Sequence, residues 1–434
     1  MRRSRRVPAA FFLALLLFLV AGDALRLSPV ELASAPYRYA LLEWEISHLP
    51  DKWAHKLRSV LPLGSGSRQE RLEDLQHYFR LSQEIRSLER EQGDIYIRAG
   101  HIQGGEESDR AAVLSEELAE LRRTRSALRA DVEETLETEV GSVLSAAGLK
   151  SPVGLLLPPV DVALTRPPRV LVVSPRATIE RSESVLLEAD IGIDAMNALE
   201  EKVLGEQDMA ALVVNIGGVA TYPTIVTDNT SLLFALRTAA HEWLHAYWFF
   251  RPLGWNIFSS PEMNTLNETA ASLAGDELGD RVFQAVTGHP IEDPRPPAPP
   301  PRAPPEEEPD RFDFNAEMRE TRLEVDRLLG EGRIEGAEGY MDRRRRVFVD
   351  NGYNIRKLNQ AYFAFHGSYA ASPASVSPIG GQVERVREAS ASLGDFIRTM
   401  SGFGNIQEFR DYVASLDGAA EDAPEPAART VPAR

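Results

Sequence analysis

Two histidines four residues apart, with a glutamate beside the first, are the residues of this chain whose types and spacing most directly allow chemistry: His241-Glu242-Trp243-Leu244-His245. On a helix, positions i and i+4 share a face one turn apart, so His241 and His245 can aim imidazole nitrogens at one tetrahedral ion. Zinc is the ion such a nitrogen pair suits first. Glu242 stands about 100° around the helix from His241, where it can reach a water at the metal without ligating the metal.

These residues require a helix, and the flanking sequence supplies one. Asp228, Asn229, Thr230 and Ser231 offer N-cap oxygens. Leu232, Leu233, Phe234, Leu236, Leu244 and Trp248 supply apolar faces, and Pro252 stops continuation beyond Arg251. A third protein ligand must come from elsewhere, and the next helical stretch carries Glu262, Glu268, Asp276 and Glu277. Ser259 or Ser260 followed by Pro261 reads as the start of that helix, which makes Glu262 a capping-box acid. Glu268 lies mid-helix and is followed by Thr269, Ala270, Ala271, Ser272 and Ala274, small residues that let two helices lie close. Glu277 falls on the opposite side. Glu268 is therefore the expected third ligand, and the 22 residues between it and His245 suffice for a loop and a returning helix.

An H-E-x-x-H pattern followed by a glutamate on a second helix resembles the gluzincin clan of zinc metallopeptidases, over roughly residues 217–280. The resemblance implies His241, His245 and Glu268 as zinc ligands, Glu242 as general base and a peptide or protein substrate. Many gluzincins place an aspartate four residues after the glutamate ligand, where this chain has Ser272. Asp276, one turn on, or a backbone carbonyl is then expected to orient His241. The resemblance also implies an edge strand that pairs with extended substrate, and a histidine or tyrosine from a C-terminal helical domain that donates to the oxyanion.

The amino terminus, residues 1–25, reads as an export element: four arginines in the first six residues precede an apolar run from Val7 to Ala21. We expect it to act as a single membrane anchor with the remainder extracytoplasmic, the alternative being secretion after signal cleavage. In residues 26–66, Tyr37, Tyr39, Trp44 and Trp53 suit a membrane interface, or equally an ordinary helix on the main domain. The chain lacks cysteine, which excludes disulfides and thiolate chemistry and is compatible with an exported bacterial protein. Its net charge of −17 argues against nucleic-acid binding and makes Arg343 to Arg346 a solvated helix face. The sequons at Asn229 and Asn267 fall in the proposed catalytic helices and read as chance matches.

Residues 67–150 form charged apolar-striped helices divided near Gly100 to Gly105, an antiparallel hairpin of coiled-coil type. It suits a stalk, a partner-binding arm, a dimerisation element or a layer over the catalytic domain. Residues 151–289 are expected to form that domain. Val170 to Val173, Val185 to Ala189 and Ala211 to Ile216 read as strands, with a helix from Asp194 to about Leu204. The stretch Gly217 to Val226 contains Pro223, which confines it to an edge strand, and Gly218 to Tyr222 is the expected substrate edge. A proline-rich, acidic linker follows at 290–311, then a helical domain at 312–417 and a disordered tail at 418–434. From Leu358 to Tyr369, helical spacing places Asn359, Tyr362, His366 and Tyr369 within an arc of about 80°. Read with the resemblance, His366, Tyr362 or Tyr369 could stabilise the oxyanion; the stripe equally suits a buried helix.

The expected architecture is α+β: a zincin-like catalytic domain with a small mixed sheet, an N-terminal helical hairpin and a C-terminal helical domain. The expected activity is membrane-anchored, zinc-dependent peptide hydrolysis. Its rivals are a catalytically silent membrane-tethered scaffold of the same fold and a zinc hydrolase of a non-peptide bond.

Overall fold

The computed structural model describes residues 27–45, 67–99, 106–289, 291, 312–369 and 372–421. The expected anchor, Trp53, most of the linker and residues 422–434 lie outside that range. No helix among the described residues is long and apolar enough to cross a membrane.

The fold is α+β, with helices predominating over two three-stranded sheets. In chain order the elements begin with α1 (Pro29–Ser34), α2 (Arg68–Ala99), α3 (Glu106–Ala146), β1 (Val162–Thr165), β2 (Arg169–Pro175) and β3 (Glu183–Leu187). There follow α4 (Ile193–Gln207), β4 (Met209–Asn215), β5 (Gly218–Val219), β6 (Thr224–Thr227), α5 (Leu232–Trp248), α6 (Pro252–Trp255) and α7 (Pro261–Thr287). The remainder is α8 (Phe314–Gly330), α9 (Ile334–Asp350), α10 (Gln360–His366), α11 (Ile379–Ala389), α12 (Leu393–Ser401) and α13 (Ile406–Glu421). The last helix therefore extends four residues into the stretch expected to be a disordered tail.

The described chain forms two compact units, each drawn from several sequence segments. Residues 27–39, 168–215 and 324–365 make the first; the rest make the second. This grouping differs from the linear boundaries read from composition. Strands belong together by pairing, and β2, β3 and β4 pair only among themselves, so they separate from the strands flanking the histidine helix.

In the first unit β2 is central in an antiparallel sheet of order β3-β2-β4, and Val170 to Val173 are buried on both of its faces. Val30, Ala33, Met196, Leu199 and Val203 from α1 and α4 cover one face. Both sheet edges are occupied. Along β3, Tyr39 N–H donates to Leu186 O at 2.9 Å and Glu188 N–H to Tyr37 O at 2.8 Å. Along β4, Glu200 accepts from Val213 N–H at 2.7 Å, Arg356 donates to Val213 O at 3.1 Å and Asn359 to Ala211 O at 3.0 Å. The backbone groups of Tyr37 and Tyr39 thus complete a sheet edge.

The second unit is organised on the sheet β1-β6-β5, with β1 parallel and β5 antiparallel to β6. The stretch containing Pro223 is not one edge strand but a tight hairpin. Proline has no N–H for a central ladder, so Pro223 lies in the turn, β5 forms the edge and β6 the middle. The helices α2 and α3 form the expected hairpin, and Leu75, Phe79, Val132 and Leu136 join the core shared by α5, α7, α11, α12 and α13. From α3, one turn apart, Glu137 accepts Val162 N–H at 2.9 Å and Glu133 accepts Leu164 N–H at 2.7 Å. Two buried carboxylates thus satisfy the outer edge of β1.

Candidate metal centre

Local sequence fixes both helices that build the site. Ser231 caps α5, accepting Phe234 N–H at 3.3 Å, and Ser260 caps α7, accepting Met263 N–H at 3.1 Å. Because Ser260 is the cap, Glu262 occupies the second helical position rather than the third. It forms an ion pair with Arg410 instead of a capping box.

The helices cross at an unusually close approach. A Cβ added at Gly275 would lie 2.9 Å from His241 Cα, and one at Gly279 would lie 2.6 Å from Arg237 Cα. Both pairs are four residues apart, so one glycine stripe of α7 seats one ridge of α5. Glu268 lies two turns earlier on the same helix, and the crossing brings its carboxylate against the histidines. Its Oε2 is 3.5 Å from His241 Nε2 and 3.6 Å from His245 Nε2, and the two Nε2 atoms are 3.0 Å apart.

These separations match a shared ion. Tetrahedral ligand atoms with bonds of about 2.0–2.1 Å stand about 3.3 Å apart. Glu268 Oε2 is buried and accepts no hydrogen bond, which is costly for a carboxylate oxygen without a cation. Among the described residues, His241, His245 and Glu268 are the one group of this kind placed to hold a metal.

Asn267 determines which nitrogen His245 offers. Its Nδ2 donates to Leu253 O at 3.3 Å, so its Oδ1 faces His245 Nδ1 at 2.8 Å and must accept. The neutral His245 imidazole therefore carries its proton on Nδ1 and turns the Nε2 lone pair inward. The residue that orients His245 is thus an amide, Asn267. Asp276 lies 3.8 Å from the Arg237 guanidinium. Glu277, expected on the far side, binds Arg387 there through bonds of 2.8 and 2.9 Å, which hold its carboxyl below the usual range.

The electrostatics of the cluster are mutual. Burial alone would raise the Glu268 pKa, but the His245 and His241 charges and contacts hold it well below the ordinary carboxylate range. Burial opposes charging of His245, yet Glu268, then Glu242 and Asn267, raise it to about 9. Glu242 is pushed up, chiefly by burial, against the lowering influence of His241 and His245. It does not join the ligand set. Beside it runs β5: a Cβ at Gly218 would lie 3.0 Å from Glu242 Cγ and 2.7 Å from Thr238 Cγ2.

Of the expected site residues, His241, Glu242, His245 and Glu268 come together. The C-terminal stripe does not form as one helical face. Asn359 Oδ1 accepts Tyr362 N–H at 3.0 Å and starts α10, which ends at His366 before Gly367, leaving Tyr369 beyond the helix. Tyr362 belongs to the first unit, His366 and Tyr369 to the second. Burial pushes His366 down to about 4 and Tyr362 up to about 12.

Asn267 was missed in the sequence because it reads as part of a sequon; the structure buries it completely in mid-helix. The usable signal was an amide immediately before Glu268, the expected ligand, in an otherwise small and apolar stripe. Comparison of the chain with protein-family models, with curated proteins and with solved structures gives no match.

Proposed function

We propose that this protein is a zinc-dependent metallopeptidase with a zincin-like catalytic unit, tethered to a membrane by its amino terminus. The observation that carries the reading is the convergence of two Nε2 atoms and one carboxylate oxygen at 3.0–3.6 Å from one another. Glu242 stands beside them without ligating. His241, His245 and Glu268 would hold the zinc, which when bound would supply Lewis acidity toward a carbonyl and a water. Glu242 takes the proton of the attacking water and passes it to the leaving amine, and its raised pKa suits that shuttle.

Substrate would add to the open edge of β5. Gly217 O accepts Thr227 N–H, so in the antiparallel alternation Gly218 is a non-hydrogen-bonded position whose N–H and C=O point outward. No strand among the described residues pairs with that side. The usable edge is shorter than Gly218 to Tyr222, because Tyr222 N–H already donates to Glu45 at 3.4 Å. His366, Tyr362 and Tyr369 remain the candidates for the oxyanion donor, and an unchanged kcat in His366→Ala would remove the first of them.

The test is zinc content and peptide-library cleavage for wild type, His245→Ala, Glu268→Ala and Glu242→Gln. We expect one zinc per chain in wild type and Glu242→Gln, none in the ligand variants, and turnover in wild type alone. A folded wild type without zinc would return the silent scaffold; zinc without peptide turnover would point to a non-peptide substrate.

A further inference from the structure

The connection between α5 and α7 concentrates large exposed aromatic side chains. Phe249, Phe250, Trp255 and Phe258 expose 57, 83, 74 and 83% of their surface within ten residues of chain. A second loop, residues 151–160, exposes Val153 at 75% and Leu155 at 61%. Contacts run from one loop to the other. Trp243 Nε1 donates to Pro158 O at 3.0 Å, Trp243 stacks on Tyr247 at 5.0 Å, and the Arg251 guanidinium lies 3.6 Å from the Tyr247 ring centre.

The charge pattern sets this surface apart from the rest of the chain. Residues 243–261 contain no acid and residues 151–160 no charge at all, in a protein with 65 acids and a net charge of −17. Lys150 precedes the second stretch and Arg251 lies within the first; the acids that flank the two stretches are Asp161, which is buried, Glu242, which lies beside the histidine cluster, and Glu262, which pairs with Arg410. A soluble surface ordinarily disperses large apolar side chains, and a contiguous group of them marks an interaction site. Rings this exposed, Phe249 edge-on to Phe250 at 4.8 Å, Trp255 at the end of α6 and Phe258 just after it, suit insertion into a fluid medium better than fit to a rigid partner. Phenylalanine and tryptophan favour the headgroup level of a bilayer, and two stretches that themselves carry no acid avoid repulsion from anionic lipid.

We propose that these two loops dock on the surface of a lipid bilayer, with the aromatic rings at headgroup depth. This holds whether or not the metal centre is catalytic. Docking would place the α5–α7 connection, and with it the open end of the metal site helices, against the membrane.

Because the chain has no cysteine, Phe258→Cys in the full chain takes an NBD fluorophore at a single position, with exposed Glu116→Cys on α3 as the control. Vesicles of phosphatidylcholine and phosphatidylglycerol should blue-shift the emission at position 258, and doxyl-labelled lipid should quench it, with neither effect at 116. Adding Phe250→Ser and Trp255→Ser should abolish the shift. Protein that floats with the vesicles but leaves position 258 unshifted, or protein that does not float at all, overturns the proposal. So does a blue shift in lipid-free buffer that grows with protein concentration, which would assign the patch to a second copy of the chain.

Discussion

Replacing Gly275 by alanine tests the helix crossing that assembles the proposed metal centre. The added methyl carbon would lie 2.9 Å from His241 Cα and 3.0 Å from its N and Cβ, against about 3.5–4.0 Å for an unstrained carbon contact. Relief requires α5 and α7 to separate by about 0.6–1 Å. The gaps from Glu268 Oε2 to the imidazoles, now 3.5 and 3.6 Å, would open to about 4.1–4.6 Å, beyond the ~3.3 Å of a tetrahedral shell. Overpacking of this kind costs about 1–3 kcal/mol, while alanine in place of a mid-helix glycine gains up to about 1 kcal/mol. We therefore expect a net loss of up to about 2 kcal/mol in urea unfolding of the metal-free protein. Zinc affinity, read by competition with a chromogenic chelator, should fall at least about tenfold, which is about 1.4 kcal/mol. Gly93→Ala in α2 is the control, because nothing lies within 4 Å of its added Cβ; it should be neutral or stabilising. If Gly275→Ala behaves like Gly93→Ala and keeps its zinc affinity, the crossing does not position the ligands.

Asn267→Leu should weaken zinc about 10- to 100-fold by freeing the His245 tautomer, whereas Asn267→Asp, which keeps an acceptor at Nδ1, should bind near wild type; equal affinity in all three would show that His245 needs no orienting partner. His366, with a folded pKa of about 4 against an ordinary 6.5, stays neutral where the unfolded chain takes up a proton. Its contribution is therefore complete above pH 6.5 and is lost as pH falls to about 4, by at most about 3 kcal/mol. His366→Gln should flatten that part of the stability profile, and parallel profiles for the two proteins would contradict it. Ala220→Pro removes the N–H of the residue that follows β5, so KM for peptides should rise about 2- to 10-fold with kcat unchanged, the worth of one hydrogen bond; a folded variant with unchanged KM counts against strand addition.

What the sequence made legible was local. The helix bearing His241 and His245 could be read because Ser231, the apolar period and Pro252 all act within a few residues of the backbone they shape. The start of α7 at Ser260 and the strands β2 to β4 were legible for the same reason. Glu268 could be chosen because small residues beside it promised a close helix pair, although the glycines that make the contact, Gly275 and Gly279, lie further along. The misses share one cause, dependence on distant partners. Glu133 and Glu137 look like solvated acids on a charged helix until the backbone of β1, 31 and 25 residues away in sequence, arrives to meet them. Asn359 looks like part of a helical stripe until Ala211, 148 residues earlier, takes its amide and fixes the start of α10. The division into two units is of the same kind, since which strands pair is decided by registers that no window of sequence contains.

The treatment of sheet edges gives the arrangement its functional sense. An exposed edge is a template for any extended chain, and folded proteins ordinarily cover it. Here β3 is covered by the backbone of residues 37–39, β4 by Glu200, Arg356 and Asn359, and β1 by Glu133 and Glu137. Covering an edge with buried carboxylates carries a desolvation cost, and this chain accepts it twice. Among the described residues the outer side of β5 is the sheet edge without a paired strand or such a row of side chains. That edge is also the one where glycine lets the backbone come within contact of Glu242. If openness were incidental, any of the four edges could have been left; the one left is beside Glu242. On the proposed function, the same glycine that brings the strand to Glu242 would set the distance between the backbone carbonyl of a peptide paired at that edge and the proposed base.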